Sequence, residues 1–152
     1  MRAARLGSTN RVMTKTCQVP LPSPAPRTRW SVAGLLVEAI AARDFNKMTD
    51  CFEPAAVMRA LLPRGPAEFR GASQIVGAFR EWFGDTEGFE VLDATVGDVS
   101  SRLHASWRLR LHPTPRGDTR WHLIEQQAYA QAEERISSID LLCSGFVPDS
   151  QS

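Results

Sequence analysis

The sequence predicts an α+β domain in which helices pack on one face of a curved sheet, and two observations carry that prediction. Between Trp30 and Phe83 apolar residues recur at spacings of three and four, the period of a helix buried on one side. From Phe89 onward the period changes to two, as in strands with one face inside. Helices followed by an antiparallel meander place the helices on one side of the sheet.

The elements follow in order. Trp30 to Arg43 carries Val32, Leu35, Leu36, Ala39 and Ile40 on one stripe, with Ser31 as the expected N-cap. Asp44 caps a second, short helix whose inner face is Phe45, Met48, Cys51 and Phe52, and Glu53-Pro54 ends it. Ala56 to Leu62 reads as a first strand, stopped by a turn at Pro63, Gly65 and Pro66. Ser73 is placed to cap a third helix, Gln74 to Phe83, with Ile75, Val76, Phe79 and Phe83 inward. Four strands remain: Phe89 to Val99, Leu103 to Leu111, Trp121 to Ala130 and Ile136 to Cys143, with HPTPRGD and the Ala132 to Glu134 bend as hairpin loops.

The strand WHLIEQQAY decides where function is sought, because both of its alternating faces mix apolar and polar groups. A tight bend at Glu133-Glu134 pairs Gln126 with Leu141, Ala128 with Ile139 and Ile124 with Cys143, opposite a face of Leu103, Ala105, Trp107, Leu109 and Leu111. That nearly apolar face belongs inside, interrupted only by His122 and Gln126. A buried polar group needs a partner or a ligand. Two readings of this pair stand side by side: satisfied core groups, or groups lining a cavity and orienting a ligand. The opposite face collects His104, Ser106, Arg108, Arg110, Glu125, Gln127, Tyr129, Ser138 and Asp140, with Arg108 placed to pair with Glu125 and Asp140. A one-residue slip would exchange the faces.

Length and charge bound the rest. The 152 residues, 43% hydrophobic, suit one domain with one core. No apolar run reaches membrane-span length. Cys17, Cys51 and Cys143 are odd in number and widely spaced, which argues for a reducing, cytoplasmic setting and against a disulfide scaffold or zinc site. Residues 1–29 hold six basic residues, no acid and the Pro-rich PLPSPAP, so they read as a disordered tail, with Met13 as an alternative start and an organelle transit peptide as the other reading. The body that remains is net acidic, a poor nucleic-acid binder. The domain therefore spans 30–148, followed by a tail at 149–152.

Three stretches together, LLVEAIAARDFNKMTDCFEPAAVM, FRGASQIVGAFREWF and ERISSIDLLCSGFVP, resemble the nuclear transport factor 2-like superfamily and its SnoaL-like group. The Asp44-Phe45 step, the Gly71-x-x-x-Ile75 entry to the third helix and the Arg135-Ile136 start of the last strand carry the likeness most specifically. It implies a cone-shaped, mixed or antiparallel sheet closed by three helices, an apolar pocket open at one end, and frequent homodimers. Activities in the family range from ketosteroid isomerases, polyketide cyclases, epoxide hydrolases and dehydratases to non-catalytic adaptors, so fold does not settle function. In isomerase-like members a tyrosine, a carboxylate base and a protonated carboxylic acid occupy positions that fall here near Leu36, Arg59 and Gln126. None keeps that chemistry. The acidic position of cyclase-like and epoxide-hydrolase-like members falls on Leu141.

A proton-transfer site could still be assembled from other parts. His122 is a candidate general acid or base, Gln126 can donate to a developing oxyanion, and Arg59, if inward, could hold a carboxylate or enolate. The remaining pocket wall is expected from Trp107, Ile124, Ile139, Leu141 and Cys143 on the sheet and from Leu36, Ile40 and Phe52 on the helices. His104 and His112 fall on the face opposite His122, so no metal site is expected, and no cofactor motif is present. The expected function is a pocket domain that binds a small, mostly apolar organic molecule and isomerises, cyclises or dehydrates it. The alternative is a non-catalytic homodimeric binding or adaptor domain working through its convex face.

Overall fold

The structure, a computed structural model, describes residues 20–23, 27–113 and 120–150. Most of the tail expected at 1–29, residues 114–118 of the HPTPRGD loop and residues 151–152 of the tail expected at 149–152 lie outside the described residues. Helix α1 (Arg29–Ala42) starts before its apolar stripe because Thr28, not Ser31, is the N-cap. The two form a reciprocal box: Thr28 Oγ1 accepts from Ser31 N at 3.2 Å, and Ser31 Oγ accepts from Thr28 N at 2.8 Å. Val32, Ala33, Leu36, Ala39 and Ile40 are buried. Asp44 caps α2 (Phe45–Thr49) as expected, accepting from Lys47 N at 3.0 Å.

Glu53-Pro54 does not end that helix. Phe52 already begins β1 (Phe52–Leu62), and Pro54 falls where the pairing of β1 is irregular, a place where a missing donor removes no ladder bond. The turn at Pro63 leads into a strand the sequence hides, β2 (Gly65–Arg70), joined to β1 through a loop of Pro63 and Arg64. Its Gly and Pro read as punctuation, yet an edge strand tolerates both. Helix α3 (Ala72–Phe83) is capped by Gly71 and not Ser73; Gly71 sits at φ 87, a conformation open to glycine, and its N–H bonds Ala56 O at 2.7 Å.

The remaining strands are β3 (Thr86–Val99), β4 (Arg102–Pro113), β5 (His122–Ala132), β6 (Ile136–Cys143) and the short β7 (Val147–Pro148). The sheet runs β2-β1-β6-β5-β4-β3, with β7 on β5. Only β1 and β6 pair in parallel, so the sheet is mixed, and it stays open, with β2 and β3 at its ends. Helix α1 lies against β3 and β4, and α3 against β1 and β2. Together they cover one face of the sheet, whose inward residues are Leu103, Ala105, Trp107, Leu109 and Leu111 on β4 and Ile124, Ala128 and Ala130 on β5.

The expected β5–β6 register is displaced by two residues. Gln126 faces Cys143 and Ala128 faces Leu141. The bend occupies Glu133, Glu134 and Arg135, one residue more than expected, and an irregularity between Gln131 and Ala132 adds the second step. Either step alone would have exchanged inside and outside; the two together restore the expected face.

Candidate functional site

Every second residue of β5 from His122 to Ala130 is buried, so the strand carries a histidine and a glutamine into the covered face. Gln126 is fully buried. Its Oε1 accepts from Trp107 Nε1 at 2.8 Å and its Nε2 donates to Cys143 Sγ at 3.3 Å. Trp107 is in turn held by the aromatic row of α3, with its ring 6.2 Å from Phe79, which itself lies 5.3 Å from Trp82. The centre of the face is therefore packed, and the Gln126 amide is engaged at both ends.

His122 lies elsewhere on the strand. It pairs with Leu111 on one side and Pro148 on the other, and its Nδ1 is 3.0 Å from Arg120 O. Leu36, Ile40, Phe52, Ile139 and Leu141 are buried in the core, as are Trp107 and Ile124. Arg59 is not inward. It alternates with the buried Met58 and Ala60, projects from the outer face, and binds Asp140 Oδ1 at 2.8 Å. Asp140 also pairs with Arg102 at 2.7 Å and so does not meet Arg108, which pairs with Glu125 alone at 3.1 Å. The register places Asp140 beside Arg59 and Tyr129, which explains the exchange.

Open space begins where the packed face ends. A cleft of about 520 Å³, within the usual range for small-molecule sites, lies at the rim between the β1–β2 turn, α3 and the segment after β6. Leu62, Trp82, Ile124, Cys143 and Phe146 form its apolar wall, and Arg64 is its only charged residue. Gly145 makes this rim possible: it is buried at φ 77, and a Cβ there would run into the Pro63 ring. The two turns are thereby seated against each other.

No family model and no curated protein matches the sequence. Solved structures match the fold. A candidate SnoaL-like polyketide cyclase from Shewanella putrefaciens CN-32 superposes with a TM-score of 0.59 at 8% identity, covering 74% of this chain and 86% of that one. An LEH-like epoxide hydrolase of M. tuberculosis gives 0.56 at 15% identity, covering 76% and 81%. This chain has the SnoaL-like fold. A de novo designed protein with a curved β-sheet also superposes, with a TM-score of 0.52 at 13% identity over 79% of this chain and 87% of that one. The architecture can thus be built without any inherited activity.

Within the SnoaL-like fold the rim residues Leu62, Arg64, Trp82 and Phe146 are the ones sequence reasoning missed. Both turns carried visible signals, Pro63-Arg64-Gly65 and Gly145-Phe146. Nothing local says that they meet. Of the expected site residues, the cleft brings together Ile124 and Cys143, with Gln126 one hydrogen bond behind and Trp107 two.

Proposed function

We propose that this domain binds a small, mostly apolar organic molecule in the rim cleft. The observation that supports the reading is the cleft itself, an apolar recess with few polar groups at the end of a packed, aromatic-braced core. The wall is prearranged by the engagement of Cys143 with Gln126 and of Pro63 with Gly145, so little ordering is required on binding. The test uses Nile red, an uncharged apolar dye. It is expected to bind one per chain and to raise the melting temperature by mass action. Leu62→Trp, which crowds the rim, is expected to abolish both effects; dye binding unchanged in that variant rejects the cleft as the site.

Catalysis is a second reading, favoured by one observation: His122 and Gln126 are the buried polar side chains of the described residues. An acid–base role needs His122 to reach a ligand, and its ring lies near Arg120 and β7 and is not among the residues that line the cleft. If the protein turns a ligand over, His122→Phe is expected to remove that activity while leaving dye binding intact. The homodimer belongs to the outer face, where exposed Leu61 and Leu142 lie side by side near the Arg108–Glu125 pair. Sedimentation as a monomer at tens of micromolar removes that reading.

A further inference from the structure

The rim cleft contains one charge that the fold does not use. Every other polar side chain that can accept a hydrogen bond along its wall is already occupied. Ser144 Oγ accepts from Glu125 N and donates to Gly145 O, both at 2.9 Å. Cys143 Sγ accepts from Gln126 Nε2 at 3.3 Å and from Gly145 N at 3.4 Å. The lining side chains with no hydrogen-bond partner among the described residues are Arg64 and the Trp82 indole, and both offer only N–H donors. No acid lines the cleft. Glu125, which borders the neighbouring groove, is paired with Arg108.

Most arginines of the body have partners: Arg29 with Asp98, Arg59 and Arg102 with Asp140, Arg70 with Glu68, Arg108 with Glu125, and Arg110 with Glu90 and Asp149. Arg64 is set apart by its position. It occupies a two-residue turn whose neighbour Pro63 is packed on Gly145, so its backbone is fixed at the cleft mouth while its guanidinium has no ion pair among the described residues.

We infer that the ligand of this cleft is an organic anion: a carboxylate on an apolar or aromatic body, with the carboxylate held by Arg64 and the body laid against Trp82 and Phe146. This rests on the cleft being the binding site. The guanidinium offers a planar pair of donors matched to a carboxylate, and the apolar wall keeps that contact from being fully exchanged with water. A carboxamide of the same shape keeps the apolar contacts and a single guanidinium bond to its carbonyl oxygen, and forgoes the charge pairing and the second acceptor oxygen.

The experiment compares 2-naphthoate with 2-naphthamide, nearly identical in shape and different in charge, by calorimetry on the full chain at low salt. Naphthoate is expected to bind about tenfold more tightly than the amide, the scale of a charge-assisted hydrogen bond. Arg64→Gln is expected to erase the preference by weakening naphthoate far more than the amide, with the melting temperature unchanged; Arg64→Lys retains part of it. Phe146→Ala is expected to weaken both probes alike. Equal binding of acid and amide to the native protein, or a preference that survives Arg64→Gln, overturns the anion assignment while the cleft remains a binding site. Binding of neither probe overturns the assignment and counts against the cleft as well.

Discussion

The packed centre and the open rim of the same sheet face use similar residue types to opposite ends. At the centre, Trp107, Gln126 and Phe79 are at most 1% exposed, and the polar atoms of the Trp107–Gln126 pair meet each other. At the rim, Trp82, Arg64 and Phe146 retain exposure, and the Arg64 guanidinium has no hydrogen-bond or ion-pair partner among the described residues. A buried polar group without a partner costs about 1–3 kcal/mol, so the interior must complete its own hydrogen bonds. A group at the water boundary carries no such penalty and remains available to a ligand. Recognition therefore belongs to the rim, although Gln126, conspicuous in the sequence, lies at the centre.

The comparison can be broken by mutation, and the largest effects belong to the centre. Phe79→Ala removes the ring that links Trp82, Phe83 and Trp107. It is expected to cost about 3–5 kcal/mol in chemical denaturation; a loss under 1 kcal/mol contradicts a packed centre. Gln126→Leu leaves the Trp107 indole N–H buried without an acceptor, at an expected cost of about 1–3 kcal/mol. Adding Trp107→Phe to Gln126→Leu should then cost less than the sum of the two single changes, and strict additivity in that cycle denies the coupling.

A buried thiol tests the interior in another way. Burial pushes the Cys51 thiol up to about 11 from an ordinary value of 9.0. The folded form holds the proton more tightly than the unfolded chain, so this contribution is complete below about pH 9 and is lost as pH rises toward about 11. The loss is at most about 3 kcal/mol, two pKa units on the scale of one unit per 1.4 kcal/mol. Denaturation curves of the native protein and Cys51→Ala across that window should converge at high pH; parallel curves refute the assignment.

At the rim one backbone position behaves like the centre and one side chain does not. Gly145→Ala forces a side chain into the left-handed region and against Pro63, with an expected loss of about 1–2 kcal/mol and weaker dye binding. Arg64→Gln should change stability by less than about 0.5 kcal/mol, because among the described residues no hydrogen bond or ion pair is lost. A larger loss would show that Arg64 is part of the scaffold, and the contrast between centre and rim would narrow to burial alone.

Much of this was legible in the sequence. The three helices, the Asp44 cap, the inward face of β4 and the inward position of His122 and Gln126 follow from periods of 3.6 and 2, which depend only on neighbours along the chain. Strand β2 was not legible, because its Gly65 and Pro66 read as a turn while an edge position accommodates them. Arg59 shows the limit in one residue: its type suggested a ligand contact, and its parity beside Met58 and Ala60 sends it to the outer face.

The residue pattern by itself determined which side chains of each element share a face, since that is set by bond geometry over a few residues. Tertiary structure alone decided how the elements meet. The β5–β6 register came from a three-residue bend compensated by an irregularity at Gln131–Ala132, two local events whose effects cancel only in the assembled sheet. The cleft likewise exists because the turn at Pro63 seats on Gly145, across more than half of the chain. Contacts at that separation depend on the shape of everything packed between them, and no periodicity in either segment records it.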